Sequence, residues 1–199
     1  MIRGDLSNRL IHLTKGTTAD EAANNFINIL RSGHIRGGNG FIRGGYTCVC
    51  FSEAPISVLS QILANPSVHG MRYAPFGVMV SKLWLFRQGG RPAIYQPEAE
   101  YELLHEEQRY RHVRYEPDRG IDLTWEREWR LKTAQLDLDP GETTFVVPTR
   151  AWEKRFMEEH AGDQQGLALL LGESAALAIE PFPWHFVVLE DLGVEVSWP

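Results

Sequence analysis

The chain has 199 residues, of which 43% are hydrophobic and 23% are charged, and its formal net charge at pH 7 is -6. This length and composition predict a single globular domain over residues 1–199, with a core that needs no disulfide or metal, and they exclude global disorder. No run approaches the roughly 20 apolar residues that span a bilayer, and the N-terminal segment lacks the apolar stretch of a secretory signal. We therefore expect a cytoplasmic protein with no membrane partner.

Charge is unevenly distributed along the chain. Residues 1–132 contain 17 Lys and Arg against 14 Asp and Glu, whereas residues 133–199 contain 3 against 12. An overall anion disfavours non-specific coating of nucleic acid, but a local cationic cleft in the first two-thirds stays open. Arginine outnumbers lysine 16 to 4, which either suits bidentate contacts with phosphate or carboxylate groups or reflects the base composition of the coding sequence.

The first elements have clear local signals. A strand is predicted over residues 9–14, and Thr18 and Glu21 have the spacing of a capping box at the start of a helix. Apolar residues then recur at helical spacing as far as Gly33, a residue type that commonly ends helices. Residues 33–45 contain six glycines, which predicts a mobile loop or one that approaches a ligand closely.

The rest of the chain mixes short strands and helices. Strands are predicted over residues 46–52, 76–81, 93–96, 111–115, 123–132, 143–147, 184–189 and 193–198. Helices are predicted over residues 56–64, 98–109, 149–160 and 164–171. Because strands and helices do not alternate regularly, the pattern indicates an α+β fold with a mostly antiparallel sheet.

Common nucleotide and metal motifs are absent from the sequence. The glycine cluster GGNGFIRGG does not match the G-x-G-x-x-G fingerprint, and no phosphate-binding G-x-x-x-x-G-K-[ST] motif is present. Cys48 and Cys50 lack a second Cys/His pair at zinc spacing, so no metal site is predicted. Both cysteines lie in an apolar strand pattern, which is typical of buried, unreactive thiols.

The strongest local signal is the segment LTWEREWRL at residues 123–131. On a strand, side chains alternate between faces, so Glu126, Glu128 and Arg130 are expected to share one face. The segment indicates either an exposed ionic ladder or, because two tryptophans bracket the carboxylates, a pair tuned for catalysis in a cleft.

Two weaker signals lie earlier in the chain. His12 lies in the first predicted strand, and Tyr46 and Ser52 bracket the strand that leaves the glycine-rich segment. Each of these residues taken alone is more typical of a structural role than of a site. Their order along the chain, followed by the Glu-bearing segment, gives them a shared interpretation.

Taken together, these pieces resemble known defence proteins. The run IHLTKGTTADEAANNFINILRSGHI resembles the H-x-T … L-x-x-I-L-x-x-G opening of DarT-type DNA ADP-ribosyltransferase toxins. The segments CVCFSEAP, YAPFGVMVSKLWLFRQGGRPAIY and WEREWRL are similar to the AbiGi-type abortive phage-resistance family, which has been labelled an antitoxin. The resemblance implies an ADP-ribosyltransferase-like domain with a split sheet flanked by helices, which transfers ADP-ribose from NAD to a nucleic acid or protein acceptor in phage defence.

The resemblance also implies roles for individual residues. His12, with Thr14 of the same motif, is expected at the adenosine ribose of NAD, and Tyr46 or Ser52 at the nicotinamide side. Glu128, with Glu126 as its neighbour, is expected to stabilise the cationic transition state, although either glutamate could be catalytic. Arg36 and Arg43 of the glycine-rich segment are expected to contact a pyrophosphate.

Two other functions stay open on the sequence. The chain could be a non-catalytic, antitoxin-like partner that binds a basic cognate toxin through its acidic C-terminal third. It could also be a nuclease or phosphotransferase that uses His12 and the arginines of residues 109–119 on RNA. The transferase interpretation makes one geometric demand: His12 and the two glutamates, more than 100 residues apart in the chain, must meet at one pocket.

Overall fold

The computed structural model describes residues 7–16, 18–40, 42–55, 72–171 and 181–194. Its strands are β1 (Arg9–Gly16), β2 (His34–Arg36), β3 (Cys48–Ser52), β4 (Arg72–Ser81), β5 (Arg91–Pro92), β6 (Ile94–Gln96), β7 (His112–Arg114), β8 (Glu128–Lys132), β9 (Gln135–Asp137), β10 (Thr143–Val147) and β11 (His185–Val188). Its α-helices are α1 (Ala19–Ser32), α2 (Lys82–Arg87) and α3 (Arg150–Leu171).

Seven of the strands form one sheet in the order β11-β10-β4-β1-β3-β8-β5. The β10–β11 pair is parallel, and the other neighbours in this sheet are antiparallel. Two small pairs lie outside it, antiparallel β2–β9 and parallel β6–β7. The predicted α+β class with a mostly antiparallel sheet is therefore confirmed, and β10 has the predicted bounds.

The sheet parts between β1 and β3. Along its other edge, β1 pairs with β4 from Arg9↔Ser81 to Gly16↔Arg72, with a register shift between Leu13 and Lys15. With β3, by contrast, its register contains a single pair, Ile11↔Ser52. Beyond that pair the two strands separate, and this separation positions the site described below.

Helix α1 forms where the local signals predict it and covers one face of the sheet. The Thr18 hydroxyl accepts a hydrogen bond from the Glu21 N–H at the start of the helix, and Gly33 ends it in the left-handed conformation with φ 66°. Phe26, a buried residue of α1, lies with its ring centroid 5.2 Å from that of Phe76 and 5.5 Å from that of Phe145. These contacts join α1 to β4 and β10 in the main core.

The acidic helix predicted over residues 98–109 is wrong. The segment forms two 3-10 turns, Glu98–Leu103 and Glu106–Arg111, with an extended residue, Leu104, between them. Glutamates four apart, such as Glu98 and Glu102, repel each other on an α-helix and disfavour its continuation. The strand predicted over residues 123–132 is also too long, because β8 begins only at Glu128.

Other predicted elements match in part. The helices predicted over residues 149–160 and 164–171 form one continuous helix, α3. The helix predicted over residues 56–64 lies outside the described residues, as does the strand predicted over 193–198 from residue 195 onwards. Part of the glycine-rich segment forms β2. Among the described residues, no helix combines the length and apolarity needed to cross a membrane.

Candidate active site

A cavity of about 400 Å³ lies where β1 and β3 separate. Its walls come from β1, β3, β8, the glycine-rich segment and the turn before β8. The residues whose chemistry matters here are His12, Lys15, Arg36, Cys48, Cys50, Ser52, Tyr73, Trp125, Glu126, Glu128 and Arg130. The expectation that His12 and both glutamates meet at one pocket is therefore confirmed as a matter of placement.

His12 is held across the gap between the two strands. Its Nδ1 lies 2.8 Å from the carbonyl oxygen of Cys50, and its ring packs edge-on to Phe51 with 5.8 Å between centroids. A carbonyl only accepts, so Nδ1 carries the proton and Nε2 is an acceptor in the neutral ring. Burial lowers the pKa of His12 and nearby Lys15 lowers it further, against the opposing effect of the Cys50 carbonyl. The ring is thus suited to accept a hydrogen bond from a ligand hydroxyl.

The turn before β8 carries Trp125 and Glu126 and is fixed at both ends. The carboxylate of Asp122 accepts from the backbone N–H and the hydroxyl of Thr124, at 2.9 and 2.6 Å. At the other end, Ser52 donates its hydroxyl to the Glu126 carbonyl at 2.6 Å. Ser52, one of the predicted site residues, therefore positions this turn from the neighbouring strand.

This turn corrects the predicted arrangement of the two glutamates. Residues Thr124–Glu126 form a 3-10 turn rather than part of the strand, and Arg127 follows with φ 45°. A non-glycine residue in the left-handed region costs of order 1 kcal/mol and commonly marks a functional turn. Glu126 and Glu128 both line the cavity, but the turn brings Glu126 there rather than strand alternation.

The carboxylate of Glu126 is half-buried and has few partners. Tyr73 donates its hydroxyl to Oε1 at 3.2 Å. Burial raises the pKa of Glu126, and the charge of Glu128 raises it further, whereas Lys15, the Tyr73 hydrogen bond and Arg130 lower it. Burial and the same carboxylate also raise the pKa of Tyr73, so this phenol stays protonated as a donor.

Glu128 is in a different situation, because Arg130 binds both of its oxygens. The distances are 2.9 Å from Nε to Oε1 and 2.9 Å from Nη2 to Oε2. Arg130 is 5% exposed, and its Nη1 also donates to the carbonyls of Tyr110 and His112, at 2.9 and 2.8 Å. The backbone N–H of Glu128 donates to the Tyr95 hydroxyl at 2.7 Å. Glu128 is thus both fixed in place and paired.

The two cysteines have the environment that the sequence predicts for unreactive thiols. Cys48 is buried and Cys50 is half-buried, and both line the cavity. Burial raises the pKa of both thiols, and the charge of Glu128 raises that of Cys50 further. Protonated thiols are poor nucleophiles. The described residues contain no group of three or more His, Cys, Asp or Glu side chains that could hold a metal ion.

A second cavity, of about 700 Å³, adjoins the first and shares His12, Lys15 and Arg36 with it. Its other polar lining residues are Thr14, Asn25, Asn28, Arg31, Ser32 and His34. Its described lining includes three cationic side chains, Lys15, Arg31 and Arg36, and no carboxylate. Arg31 also reaches Glu159 at 3.4 Å. This cavity is suited to an anionic group.

The other predicted site residues are placed differently. Thr14 lines only the second cavity, where its hydroxyl donates to the Phe76 carbonyl at 3.2 Å. Arg43 lines neither cavity, because it forms ion pairs with Glu98 and Glu102 and stacks on the Tyr101 ring. Tyr46 also lies outside both linings. It packs in a small cluster around Ile42, and Lys132 lies over its ring.

Sequence reasoning missed several residues of the site: Lys15, Arg31, Tyr73, Trp125 and Arg130. Lys15 is three residues from His12, and strict alternation would place the two on opposite faces. The register shift between Leu13 and Lys15 interrupts that alternation, so both line the cavity. Arg130 was on the predicted Glu face, but nothing in the sequence pairs it with Glu128 rather than with solvent.

Comparison of the chain with models of known protein families, with curated proteins and with solved structures finds no match. The functional information therefore lies in the two cavities. They combine a neutral histidine, two carboxylates in different electrostatic states, a half-exposed tryptophan and an adjoining cationic compartment. Such a set can bind an elongated ligand that is anionic at one end and can stabilise positive charge at the other.

Proposed function

We propose that the protein is an NAD-using ADP-ribosyltransferase-like enzyme that acts in phage defence, with NAD as a substrate. The observation that carries this proposal is the meeting of His12 on β1 with Glu126 and Glu128, next to β3, around the cavity at the parting of the sheet. This order of strands and residues is the one expected for the split sheet of an ADP-ribosyltransferase-like domain.

The reaction needs a carboxylate near the bond that breaks. When the bond between C1′ of the ribose and the nicotinamide nitrogen breaks, nicotinamide leaves as a neutral molecule with the bonding electrons, and the ribose develops oxocarbenium charge. The acceptor then forms its bond to C1′ and gives up a proton to a carboxylate or to water. A fixed negative charge beside C1′ stabilises the cationic transition state, and either Glu126 or Glu128 could supply it.

The two cavities support a dinucleotide substrate because carboxylates line the first and not the described lining of the second, whereas Lys15 and Arg36 line both. The first cavity has the carboxylates together with apolar and aromatic walls, which suit a flat, cationic nicotinamide ring and its ribose. The second has Lys15, Arg31 and Arg36, which suit a diphosphate. His12 lines both cavities, and its neutral ring would accept from a ribose hydroxyl between them.

The acceptor belongs to the class of nucleic acids or proteins, as expected of a toxin-type transferase. Trp125, 46% exposed, lies next to Glu126 at the first cavity. An exposed aromatic ring on a fixed turn provides a stacking surface for a base or a side chain. The protein would act together with a cognate toxin or antitoxin.

The test is direct. The pure protein is incubated with NAD, and released nicotinamide and ADP-ribosylated products are quantified against a variant with both Glu126→Gln and Glu128→Gln. We expect release by the wild-type protein and none above background by the variant. NAD binding without release would favour the non-catalytic, antitoxin-like function. If the protein neither binds NAD nor releases nicotinamide, the proposal is overturned.

A further inference from the structure

The two carboxylates of the first cavity differ in how they are held. Glu128 gives both oxygens to Arg130, at 2.9 Å each. Among the described side chains, Tyr73 alone donates to Glu126, at the longer distance of 3.2 Å. A neutral donor leaves the charge of a carboxylate in place, whereas a bidentate guanidinium offsets part of it and occupies both oxygens. The negative charge available to a ligand is therefore mainly that of Glu126.

Arg130 has little freedom to release Glu128. Its side chain is 6% exposed, and Nη1 is bound to two backbone carbonyls in addition to the carboxylate contacts. A guanidinium that swung away would leave these carbonyls and a partly buried carboxylate without their donor, which is strongly unfavourable. The pair therefore stays together when a ligand enters.

We propose that Glu126 is the carboxylate that acts on the bound ligand and that Arg130 is a positioning residue, which holds Glu128 by both oxygens and offsets part of its charge. This inference rests on the proposed function and assigns the two glutamates of that site. It reverses the preference for Glu128 drawn from the sequence. Glu128 in this arrangement shapes the cavity wall and sets the electrostatic environment of Glu126.

The pairing solves an electrostatic problem of the cavity. Two carboxylates in a poorly solvated space hinder each other's ionisation, so one would tend to take up a proton. Arg130 partly offsets this effect by pairing with one of them. Among the described residues, the charged or titratable groups that face Glu126 or share its cavity are His12 and Lys15 from β1, Arg36 from β2, Cys48 and Cys50 from β3, Tyr73 from β4, Tyr95 from β6, and Glu128 and Arg130 from β8.

The experiment is the pH dependence of nicotinamide release. Activity needs ionised Glu126 and falls at low pH as this residue takes up a proton. Glu128→Gln removes a negative neighbour, so the acid limb of the profile moves to lower pH. Arg130→Gln removes a positive neighbour and leaves Glu128 charged, so the limb moves to higher pH. If Glu128 and Arg130 had only structural roles, replacing them would not shift the acid limb of the profile in opposite directions.

Three further variants complete the series. Glu126→Gln should lower the rate by about a hundred-fold or more at pH values above the acid limb, and its profile should lack that limb. The double variant Glu128→Gln/Arg130→Gln removes both charges at once, so its limb returns close to that of the wild type, and it avoids the unpaired buried group that could unfold a single variant. Glu98→Gln, in an exposed ion pair away from the cavity, is the matched control and should leave the profile unchanged.

The outcomes separate this inference from the proposed function. Opposite shifts of the acid limb and loss of rate in Glu126→Gln support it. Shifts in the same direction, no shift, or near wild-type rates in Glu126→Gln overturn it. If the wild-type protein releases no nicotinamide, the proposed function and the acting role of Glu126 fail together. Carbon-13 NMR titration of Glu126 in the same variants then decides whether Arg130 offsets the charge of Glu128, by the same opposite shifts.

Discussion

Two carboxylates next to β3 and β8, those of Glu53 and Glu126, are buried or half-buried, yet they have different surroundings. Glu53, just after β3, is 8% exposed; its oxygens accept from Lys82 at 2.7 Å and from the indole N–H of Trp129 at 2.9 Å. Glu126 lines the cavity and accepts from Tyr73 alone among the described side chains. The first carboxylate has an ion pair and a donor in direct contact, whereas the second has a neutral donor and no ion pair among the described residues.

The difference follows from the face of β8 next to which each carboxylate lies. Trp129 and Leu131 belong to the main core, whereas Glu128 and Arg130 line the cavity. A carboxylate on the core side must be compensated, because an unpaired charge there would destabilise the fold. On the cavity side, water or a ligand can supply the missing partner. An incompletely paired carboxylate beside a cavity is therefore a sign of function.

The largest effect on stability should come from removing the compensated carboxylate. Glu53→Ala leaves the Lys82 ammonium and the Trp129 N–H without their partner, and we expect a loss of about 3 kcal/mol in the free energy of unfolding. Urea denaturation measures this loss. Glu98→Ala is the control, because its ion pair with Arg43 is exposed and should contribute less than about 1 kcal/mol. Equal losses in both variants would contradict the distinction.

The next effect separates two arginines that the sequence analysis treats alike. Arg36→Gln removes a cation shared by the two cavities, so we expect NAD binding to weaken about tenfold, or about 1.4 kcal/mol. Arg43→Gln should leave binding unchanged, because this side chain is occupied by Glu98 and Glu102. Calorimetric titration of both variants measures the contrast, and a larger loss in Arg43→Gln would place the diphosphate elsewhere.

His12 should make stability depend on pH. Burial lowers the pKa of His12 in the folded state. The contribution of the neutral ring to stability is therefore complete above the pKa of the unfolded chain, about 6.5, and is lost as the pH falls through the pKa of the folded protein. We expect the wild-type protein to lose about 1 kcal/mol more than His12→Asn between pH 7 and pH 5. Thermal unfolding of both proteins at the two pH values provides the comparison. Identical losses would mean that the ring titrates as if in solvent.

The smallest effect concerns the uncompensated carboxylate. The pKa of Glu126 is raised in the folded state. Its contribution to stability is therefore complete below the pKa of the unfolded chain and is lost as the pH rises through the pKa of the folded protein. Glu126→Gln removes this penalty while keeping the acceptor for Tyr73. We expect the variant to be as stable as the wild type at pH 4 and slightly more stable at pH 7, by less than about 1 kcal/mol. A clear loss at pH 7 would give Glu126 a structural role.

Local signals in the sequence predict local structure well. The cap at Thr18, the apolar spacing of α1 and its end at Gly33 all act within a few residues, and they are confirmed. The predicted strand through Glu126 is wrong because the hydroxyl of distant Ser52, which donates to the Glu126 carbonyl, and the Asp122 carboxylate, which accepts from the Thr124 N–H, stabilise a turn instead. Alternation alone contains no information about such contacts.

The same limit applies to the site. His12, Ser52 and the two glutamates could be proposed from their residue types and order, and they line the cavity. Lys15 reaches it through a shift of register, which a sequence does not display. Arg43 is drawn away by Glu98, a residue 55 positions further along the chain. Charge partners across such separations are decided by packing, so residue type alone could not separate Arg36 from Arg43.

The most direct test of a shared NAD site is hydrogen exchange of the Glu126→Gln variant, which should bind NAD without turning it over. With NAD in excess, we expect slower exchange of the backbone amides in residues 36–40 and 124–128, which flank the cavity, and unchanged exchange over residues 150–166 of α3. Unchanged exchange in both flanking segments would contradict the account.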